Sequence, residues 1–188
     1  CTAADCNLTG GAGGVASGFV SSGKRGRAMA FDGVDDYVNV STTTFPKDNG
    51  TIEAWVKPAT TTGAIFGMIV HATDVTNANG GGSQRELHLS TNALGTNFTF
   101  YFGSSAANGN QYYLNSPSAF EAGKWYHLVG VYRNNDSAQL YVNGELVAND
   151  DTDRSIDTSS YNSLLIGRPA QAIRYFNGTI DEVKVWNR

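Results

Sequence analysis

The chain has 188 residues, a formal net charge of −4 and 16% charged residues. This length suits one domain with a substantial core. Its 13 Lys and Arg residues are scattered, which is not typical of a protein that binds nucleic acid. It also lacks an apolar run of membrane-spanning length and an N-terminal signal-peptide pattern. We therefore expect a soluble domain without membrane insertion, from which any secretion signal has been removed.

The N-terminal residues differ in composition from the rest. Cys1 and Cys6 are the only cysteines, and an isolated pair favours a local disulfide in an oxidising compartment. There are two alternatives: both cysteines are free thiols without a role, or Cys1 carries a lipid as in a bacterial lipoprotein. The Gly-, Ser- and Ala-rich stretch that follows predicts a loop or a weak edge strand. We predict a single domain over residues 1–188, with an irregular segment over 1–25 and a core over 26–188.

Short apolar or alternating segments follow one another from residue 28 onward. Segments of this length, rich in β-branched and aromatic residues and separated by Gly, Asn and Asp, predict strands joined by turns. In chain order the predicted strands cover residues 28–31, 37–40, 51–57, 65–71, 86–90, 98–102, 111–114, 125–132, 139–142, 145–148, 163–167 and 178–186. The pattern predicts an all-β protein.

The stretch from residue 124 to residue 148 gives the clearest signal. Residues 125–132 alternate with a period of two, which puts one set of side chains on each face of a sheet. Asn143-Gly144 tolerates the positive φ angles of a tight hairpin turn, and residues 133–137 are polar turn formers. This stretch predicts a meander of three antiparallel strands.

Five blocks occur in order: FDGVDDYV, TIEAWVKP, WYHLVGVY with YVNGELV, LLIGRP, and FNGTIDEVKVWNR. Together, from about Gly26 to the C-terminus, they resemble the laminin G-like family of concanavalin A-like jelly rolls. The resemblance implies a two-sheet antiparallel β-sandwich. It also implies an extracellular binding module, often one of several domains in a larger surface protein.

Family members usually begin with an aromatic-containing strand, and none precedes Phe19 in this chain. A missing first strand would leave a sheet edge unpaired, and exposed edges recruit other strands. One hypothesis is that an upstream segment or a neighbouring subunit supplies the strand, as in a pilus-like assembly. The alternative is that residues 1–7 replace it.

Asp32, Asp35 and Asp36 lie in the first predicted turn. A glycine-containing acidic turn can offer several of the six to eight oxygen ligands that calcium prefers. The resemblance implies a structural calcium where this turn meets the segment containing Asp181, although these residues could simply form the turn and cap a strand end. A second acidic group is more typical of a solvated loop than of a metal site; it contains Asn149, Asp150, Asp151 and Asp153.

Sugar binding, which the resemblance implies, needs aromatic faces beside groups that hydrogen-bond hydroxyls. The candidates lie beside predicted loops and are Gln84, Arg85, Glu86, His88, Tyr101, Tyr112, Tyr113, Arg174 and Tyr175. The tyrosines could equally be ordinary outer-sheet residues, and His88 a hydrogen-bonded strand histidine. By contrast, we expect Trp55, Trp125 and Trp186 to pack in the core, because they lie in the family's core-forming blocks.

An enzyme of this fold would need convergent catalytic groups. Glycoside hydrolases pair carboxylates around the scissile bond, and no alternating carboxylate pattern on one strand occurs in this sequence. The three histidines show no zinc-type spacing. We therefore predict a non-catalytic, lectin-like module at the cell surface or secreted, which binds carbohydrate or a surface glycoprotein with calcium supporting its loops. The alternative is a structural or assembly module.

Overall fold

A computed structural model describes residues 6–9, 18–20, 22–41, 46, 48–61, 67–73, 85–92, 94–104, 110–156, 163–169 and 174–188. In these ranges there are fourteen β-strands and no helix. A helix that could cross a bilayer is accordingly absent from the described residues. The predicted all-β class is confirmed.

The strands lie close to the positions predicted from the sequence. They are β1 (Cys6–Thr9), β2 (Gly18–Val20), β3 (Ala28–Asp32), β4 (Tyr37–Ser41), β5 (Asn49–Pro58), β6 (Met68–Thr73), β7 (Arg85–Thr91), β8 (Phe98–Ser104), β9 (Gln111–Asn115), β10 (Tyr126–Arg133), β11 (Ser137–Val142), β12 (Glu145–Asp150), β13 (Ser163–Ile166) and β14 (Asn177–Trp186). The predicted meander is β10, β11 and β12. Its hairpin turn has φ angles of 54° at Asn143 and 86° at Gly144, as the dipeptide predicted.

Two seven-stranded sheets make up the fold. The first sheet has the order β1-β4-β13-β6-β7-β8-β9, and the second has the order β12-β11-β10-β5-β14-β3-β2. All of the strand pairs are antiparallel. This arrangement confirms the predicted two-sheet sandwich.

The core lies between the two sheets. From the second sheet, Ile52 and Val56 are fully buried, and from the first sheet Leu87, Leu89 and Phe100 are fully buried in the same cluster. Because successive strand residues point to opposite faces, the residues between these apolar ones lie on the faces turned away from the core. We call these the outer faces, and the outer face of the first sheet carries the candidate site.

The N-terminal region, which we predicted to be irregular with a loop or a weak edge strand, contains two short strands, and β2 lies at a sheet edge. β1 pairs with β4, with Cys6 opposite Val40, and β2 pairs with β3. Because β1 already covers the β4 edge, the reason for the strand-donation hypothesis is removed. Cys1 lies outside the described residues, as does the side chain of Cys6, so the disulfide stays a prediction.

The tryptophans correct the expectation that they pack in the core. Trp55 is half-buried on the outer face of the second sheet and stacks on His127 with ring centroids 4.9 Å apart. Trp125 is also half-buried, and Trp186 is 38% exposed. Each ring has a cation over it, supplied by Lys24, Lys57 and Arg188 respectively. Their amphipathic rings thus cover the outside of the sandwich instead of filling it.

Candidate functional site

Four aromatic side chains form a continuous row across the outer face of the first sheet. His71 of β6 lies opposite His88 of β7, His88 lies opposite Tyr101 of β8, and Tyr101 lies opposite Tyr113 of β9. The ring centroids are 5.8 Å, 4.9 Å and 6.2 Å apart in that order. The middle pair is stacked nearly parallel and the other two pairs meet edge to face. We call these four residues the aromatic row.

Exposure changes along the aromatic row. His71, His88 and Tyr101 are only 1%, 5% and 7% exposed, although they face away from the core, whereas Tyr113 is 44% exposed. A sugar ring needs an open aromatic face on which to stack. Only the Tyr113 end of the row offers such a face, and the histidine end can admit only a much smaller ligand.

Glu86 lies beside the buried end of the aromatic row. It precedes His88 by two residues on β7, so both side chains lie on the outer face. Its Oε1 is 3.9 Å from His71 Nε2, and its Oε2 is 3.7 Å from His88 Nδ1. Both distances exceed those of a hydrogen bond. The side chain of Glu86 is 20% exposed, so it connects the buried histidines with solvent.

Burial sets the protonation of this cluster. It lowers the pKa of His71 from 6.5 to about 3. The pKa of His88 is also well below its usual value, through burial first and then through the charges of His71 and Arg174. Burial raises the pKa of Glu86, and the nearby Arg174 guanidinium opposes that shift. At neutral pH both imidazoles are therefore neutral.

Polar side chains flank the exposed end of the row. The Tyr101 hydroxyl donates to Gln111 Oε1 at 3.0 Å, and Thr99 Oγ1 donates to Asn115 Oδ1 at 2.7 Å. Gln111 and Asn115 are both exposed, one on each side of Tyr113 along β9. Two amides therefore border the accessible tyrosine ring.

The structure brings together only some of the predicted ligand-binding residues. Glu86, His88, Tyr101 and Tyr113 are neighbours, and Arg174 acts on the first two electrostatically. Tyr175 is half-buried in the segment beside the start of β6, where the Arg174 carbonyl accepts from the Met68 N–H. Gln84 and the side chain of Arg85 lie outside the described residues.

Tyr112 is a wrong prediction, and His71 was missed. Tyr112 alternates with Tyr113 and therefore points into the core, where it is fully buried and its hydroxyl donates to the Thr152 carbonyl at 2.7 Å. His71 lies 15 residues before Glu86 in the sequence, and only the pairing of β6 with β7 puts it opposite His88. Spacing within one strand could not reveal that contact.

The acidic turn after β3 forms a second cluster. Single carboxylate oxygens of Asp32, Asp35 and Asp36 all lie within 4.8 Å of one another. Asp32 Oδ1 accepts from the Val34 N–H at 2.7 Å, and Asp36 Oδ2 accepts from the Asp32 N–H at 3.0 Å. Asp35 Oδ1 and Asp36 Oδ1 are buried without a hydrogen-bond partner among the described residues. Buried carboxylate oxygens of this kind suit a hard cation such as calcium.

Asp181 does not belong to this cluster, which corrects the predicted ligand set. Asp32 lies opposite Asn177, four residues before Asp181 on β14, and strand geometry separates such positions by about 13 Å. Asp181 instead accepts hydrogen bonds from the N–H groups of Arg25 at 2.9 Å and Glu182 at 2.8 Å. Its carboxylate holds the turn that precedes β3.

The second acidic stretch satisfies its own carboxylates. Asp150 accepts from the Thr152 N–H at 2.9 Å and pairs with Arg154 at 3.1 Å. The Asn149 side-chain amide donates to Asp151 at 2.9 Å. These groups are exposed or half-exposed, and Asn149 and Asp150 belong to the end of β12 and not to a loop as we predicted.

Comparisons with solved structures show the same fold in proteins of several kinds. One is domain 4 of AbnA, a GH43 extracellular arabinanase from Geobacillus stearothermophilus, in complex with arabinotriose (TM-score 0.69, 18% identity, 96% of this chain and 81% of that one). Another is mouse laminin α1 chain domains LG4-5, with a TM-score of 0.63 and 14% identity; the match covers 91% of this chain and 43% of that one. A third is the receptor-binding domain of botulinum neurotoxin C/D mosaic serotype, with a TM-score of 0.70 and 10% identity; the match covers 98% of this chain and 43% of that one.

A search of the curated proteins gave no match. A family model described as the concanavalin A-like lectin/glucanases superfamily matches residues 32–188. The matched region includes the acidic turn and the whole aromatic row. The chain therefore belongs to the concanavalin A-like lectin/glucanases superfamily, within its laminin G-like branch.

Proposed function

We propose that this protein is an extracellular, non-catalytic carbohydrate-binding module. The sugar binds on the outer face of the first sheet, at the exposed end of the aromatic row. The observation that carries the proposal is the partly exposed ring of Tyr113, bordered by the amides of Gln111 and Asn115. An apolar face beside hydrogen-bonding groups is what a pyranose or furanose ring requires.

The charges of this face favour binding over hydrolysis. Most glycosidases need two carboxyl groups, about 5 to 9.5 Å apart, around the scissile bond. Among the strand residues that the structure describes on this outer face, Glu86 supplies the only carboxylate. The arabinotriose bound to the arabinanase domain of the same fold supports a saccharide as the class of ligand. Fold alone does not transfer that specificity.

The first prediction concerns Tyr113. Replacing it with Ala removes the accessible stacking surface, so we expect affinity for a glycan to fall by about tenfold, or ~1.4 kcal/mol. The measurement is a broad glycan array followed by calorimetric titration of the best saccharide. Tyr141→Ala is the matched control, because Tyr141 is a half-buried tyrosine that lies on the second sheet and not on the proposed sugar-binding face. The control should bind normally.

Two results would contradict the carbohydrate proposal. One is an array without selective binding by the wild-type protein, which would favour the assembly or protein-partner alternative. The other is an equal loss in Tyr113→Ala and Tyr141→Ala, which would show that sugar affinity depends on stability instead of on this face. Melting curves of both variants separate these cases.

We further propose that the acidic turn holds a structural calcium ion. Asp35 and Asp36 would supply their unpartnered oxygens and Asp32 its second carboxylate oxygen. The bound cation would neutralise three clustered negative charges and fix the turn between β3 and β4. Gly33, with a φ angle of 83°, gives this turn its tight bend.

The second prediction tests the calcium site and its corrected ligand set. At a calcium concentration about 100 times Kd we expect stabilisation by about 2.7 kcal/mol, or roughly 5–10 °C in the melting temperature of a domain this size. Asp36→Asn should abolish the shift. Asp181→Asn should keep it, even if its starting stability is lower. A shift that survives in Asp36→Asn but disappears in Asp181→Asn would overturn this assignment.

A further inference from the structure

The buried end of the aromatic row has the composition and geometry of a metal site. One ligand atom each from His71, Glu86 and His88 lies within 4.8 Å of the other two. Two imidazoles and one carboxylate form a donor set that proteins use for zinc and for other divalent transition metals. We propose that His71, Glu86 and His88 bind one divalent transition-metal ion, with zinc as the preferred ion.

The distances within the trio fit an ion better than direct bonding. The carboxylate oxygens lie 3.9 Å from His71 Nε2 and 3.7 Å from His88 Nδ1, too far for hydrogen bonds. Ligand atoms about 2.0–2.1 Å from a tetrahedral zinc are themselves about 3.3 Å apart. Each imidazole nitrogen would therefore approach the carboxylate by about half an ångström, and no pair of ligand atoms in the trio would have to close by more than about 1.5 Å.

His88 provides an independent observation. Its side chain is about nineteen-twentieths buried, and neither Nδ1 nor Nε2 has a hydrogen-bond partner among the described residues. Leaving buried polar atoms unsatisfied is costly, and native structures rarely do so without a bound group. Nδ1 is the nitrogen that lies near the Glu86 carboxylate. A metal ion between them would give both His88 Nδ1 and the Glu86 carboxylate a partner.

Such an ion would tie two neighbouring strands together. His71 belongs to β6, whereas Glu86 and His88 belong to β7. Glu86 is the most exposed ligand at 20% and gives the ion a path from solvent. Three protein ligands leave a coordination position for water or another donor. Arg174 opposes the ion through its positive charge on Glu86 and His88, so removing that charge should strengthen metal binding.

The third prediction is tested on the full chain after dialysis against a chelator and removal of the chelator. Titration with zinc sulfate should show one site per chain, and His88→Gln should weaken it by at least about a hundredfold. Arg174→Gln should tighten it. The matched control is His127→Gln, because His127 also lies near a glutamate, with Nε2 3.5 Å from Glu53 Oε2, on the outer face of the second sheet. This control should bind zinc normally.

A measurement on the wild-type protein tests the metal site even if a variant fails to fold. Cobalt(II) chloride should give the intense visible absorption of a four- or five-coordinate ion, and zinc should displace it. Zinc should also bind to this site in the presence of excess calcium, because imidazole ligands favour transition metals over hard cations. Absence of zinc uptake by the wild-type protein, or equal losses in His88→Gln and His127→Gln, would overturn the proposal. Tyr113→Ala should retain zinc, which keeps this test separate from sugar binding.

Discussion

We expect the metal-free protein to lose about 3 kcal/mol of folding free energy from His71 alone between pH 6.5 and pH 4. The pKa of His71 is lowered from 6.5 to about 3 in the folded protein by burial. Over this window the unfolded chain takes up a proton that the folded protein does not. Stability therefore falls as pH falls, by about 1.4 kcal/mol per pH unit for each such group.

Two neighbours of His71 modify this dependence. His88 acts in the same direction, because burial also lowers its pKa well below the usual value. Glu86 acts in the opposite direction, because its raised pKa lets the folded protein take up a proton at a higher pH than the unfolded chain. The stability contributed by the histidines is fully present above about pH 6.5.

Urea unfolding at half-unit pH steps in the presence of a chelator measures this effect. His71→Gln should flatten the dependence of unfolding free energy on pH between 6.5 and 4. Ser90→Ala is the control, because Ser90 is a buried, non-titrating residue of the same outer face. It should shift the whole curve without changing its slope. Parallel curves for wild type and His71→Gln would show that His71 is not buried in its neutral form.

We expect Gly167→Ala to lower the free energy of unfolding by about 2–5 kcal/mol. Gly167 has a φ angle of 89°, a conformation that costs an L-residue about 1–2 kcal/mol. A Cβ there would also overlap the buried ring of Phe31 and lie 3.1 Å from the Asp36 carbonyl. Forcing an extra carbon into a packed core adds about 1–3 kcal/mol.

Two other glycines separate the causes of this cost. Gly26 has a φ angle of 63°, but no atom of the described residues lies within 4 Å of the place that a Cβ would take, so Gly26→Ala isolates the backbone strain. Gly18 lies in β2, and among the described residues no atom lies within 4 Å of the place that its Cβ would take. Gly18→Ala should therefore change the free energy of unfolding by no more than about 0.5 kcal/mol. Chemical unfolding of the three variants gives the comparison. Equal costs for Gly26→Ala and Gly167→Ala would rule out the overlap with Phe31.

The sequence predicted the acidic turn as a cluster but not its complete ligand set. Asp32, Asp35 and Asp36 are close because a five-residue turn cannot separate them. Asp181 was added through family resemblance, and the register of β14 against β3 determines that it lies elsewhere. Register depends on pairings between segments about 150 residues apart, which a local pattern does not contain.

The candidate site on the first sheet could likewise be predicted only in part from the sequence. The period-two alternation correctly put Glu86 and His88 on one face, but it could not decide which of two adjacent tyrosines faces outward. Burial of Tyr112 in the core leaves Tyr113 for the outer face. Which tyrosine is buried depends on how β9 packs in the sandwich and not on the composition of the strand.

By itself, the sequence determined the all-β class, nearly every strand, the hairpin at Asn143-Gly144 and the family, because alternation, turn residues and ordered blocks are local properties of the chain. Only the tertiary structure decided that His71 meets Glu86 and His88, that Asp181 lies away from the acidic turn, and that the tryptophans cover outer surfaces. These features depend on strand order and register, which place residues distant in sequence side by side.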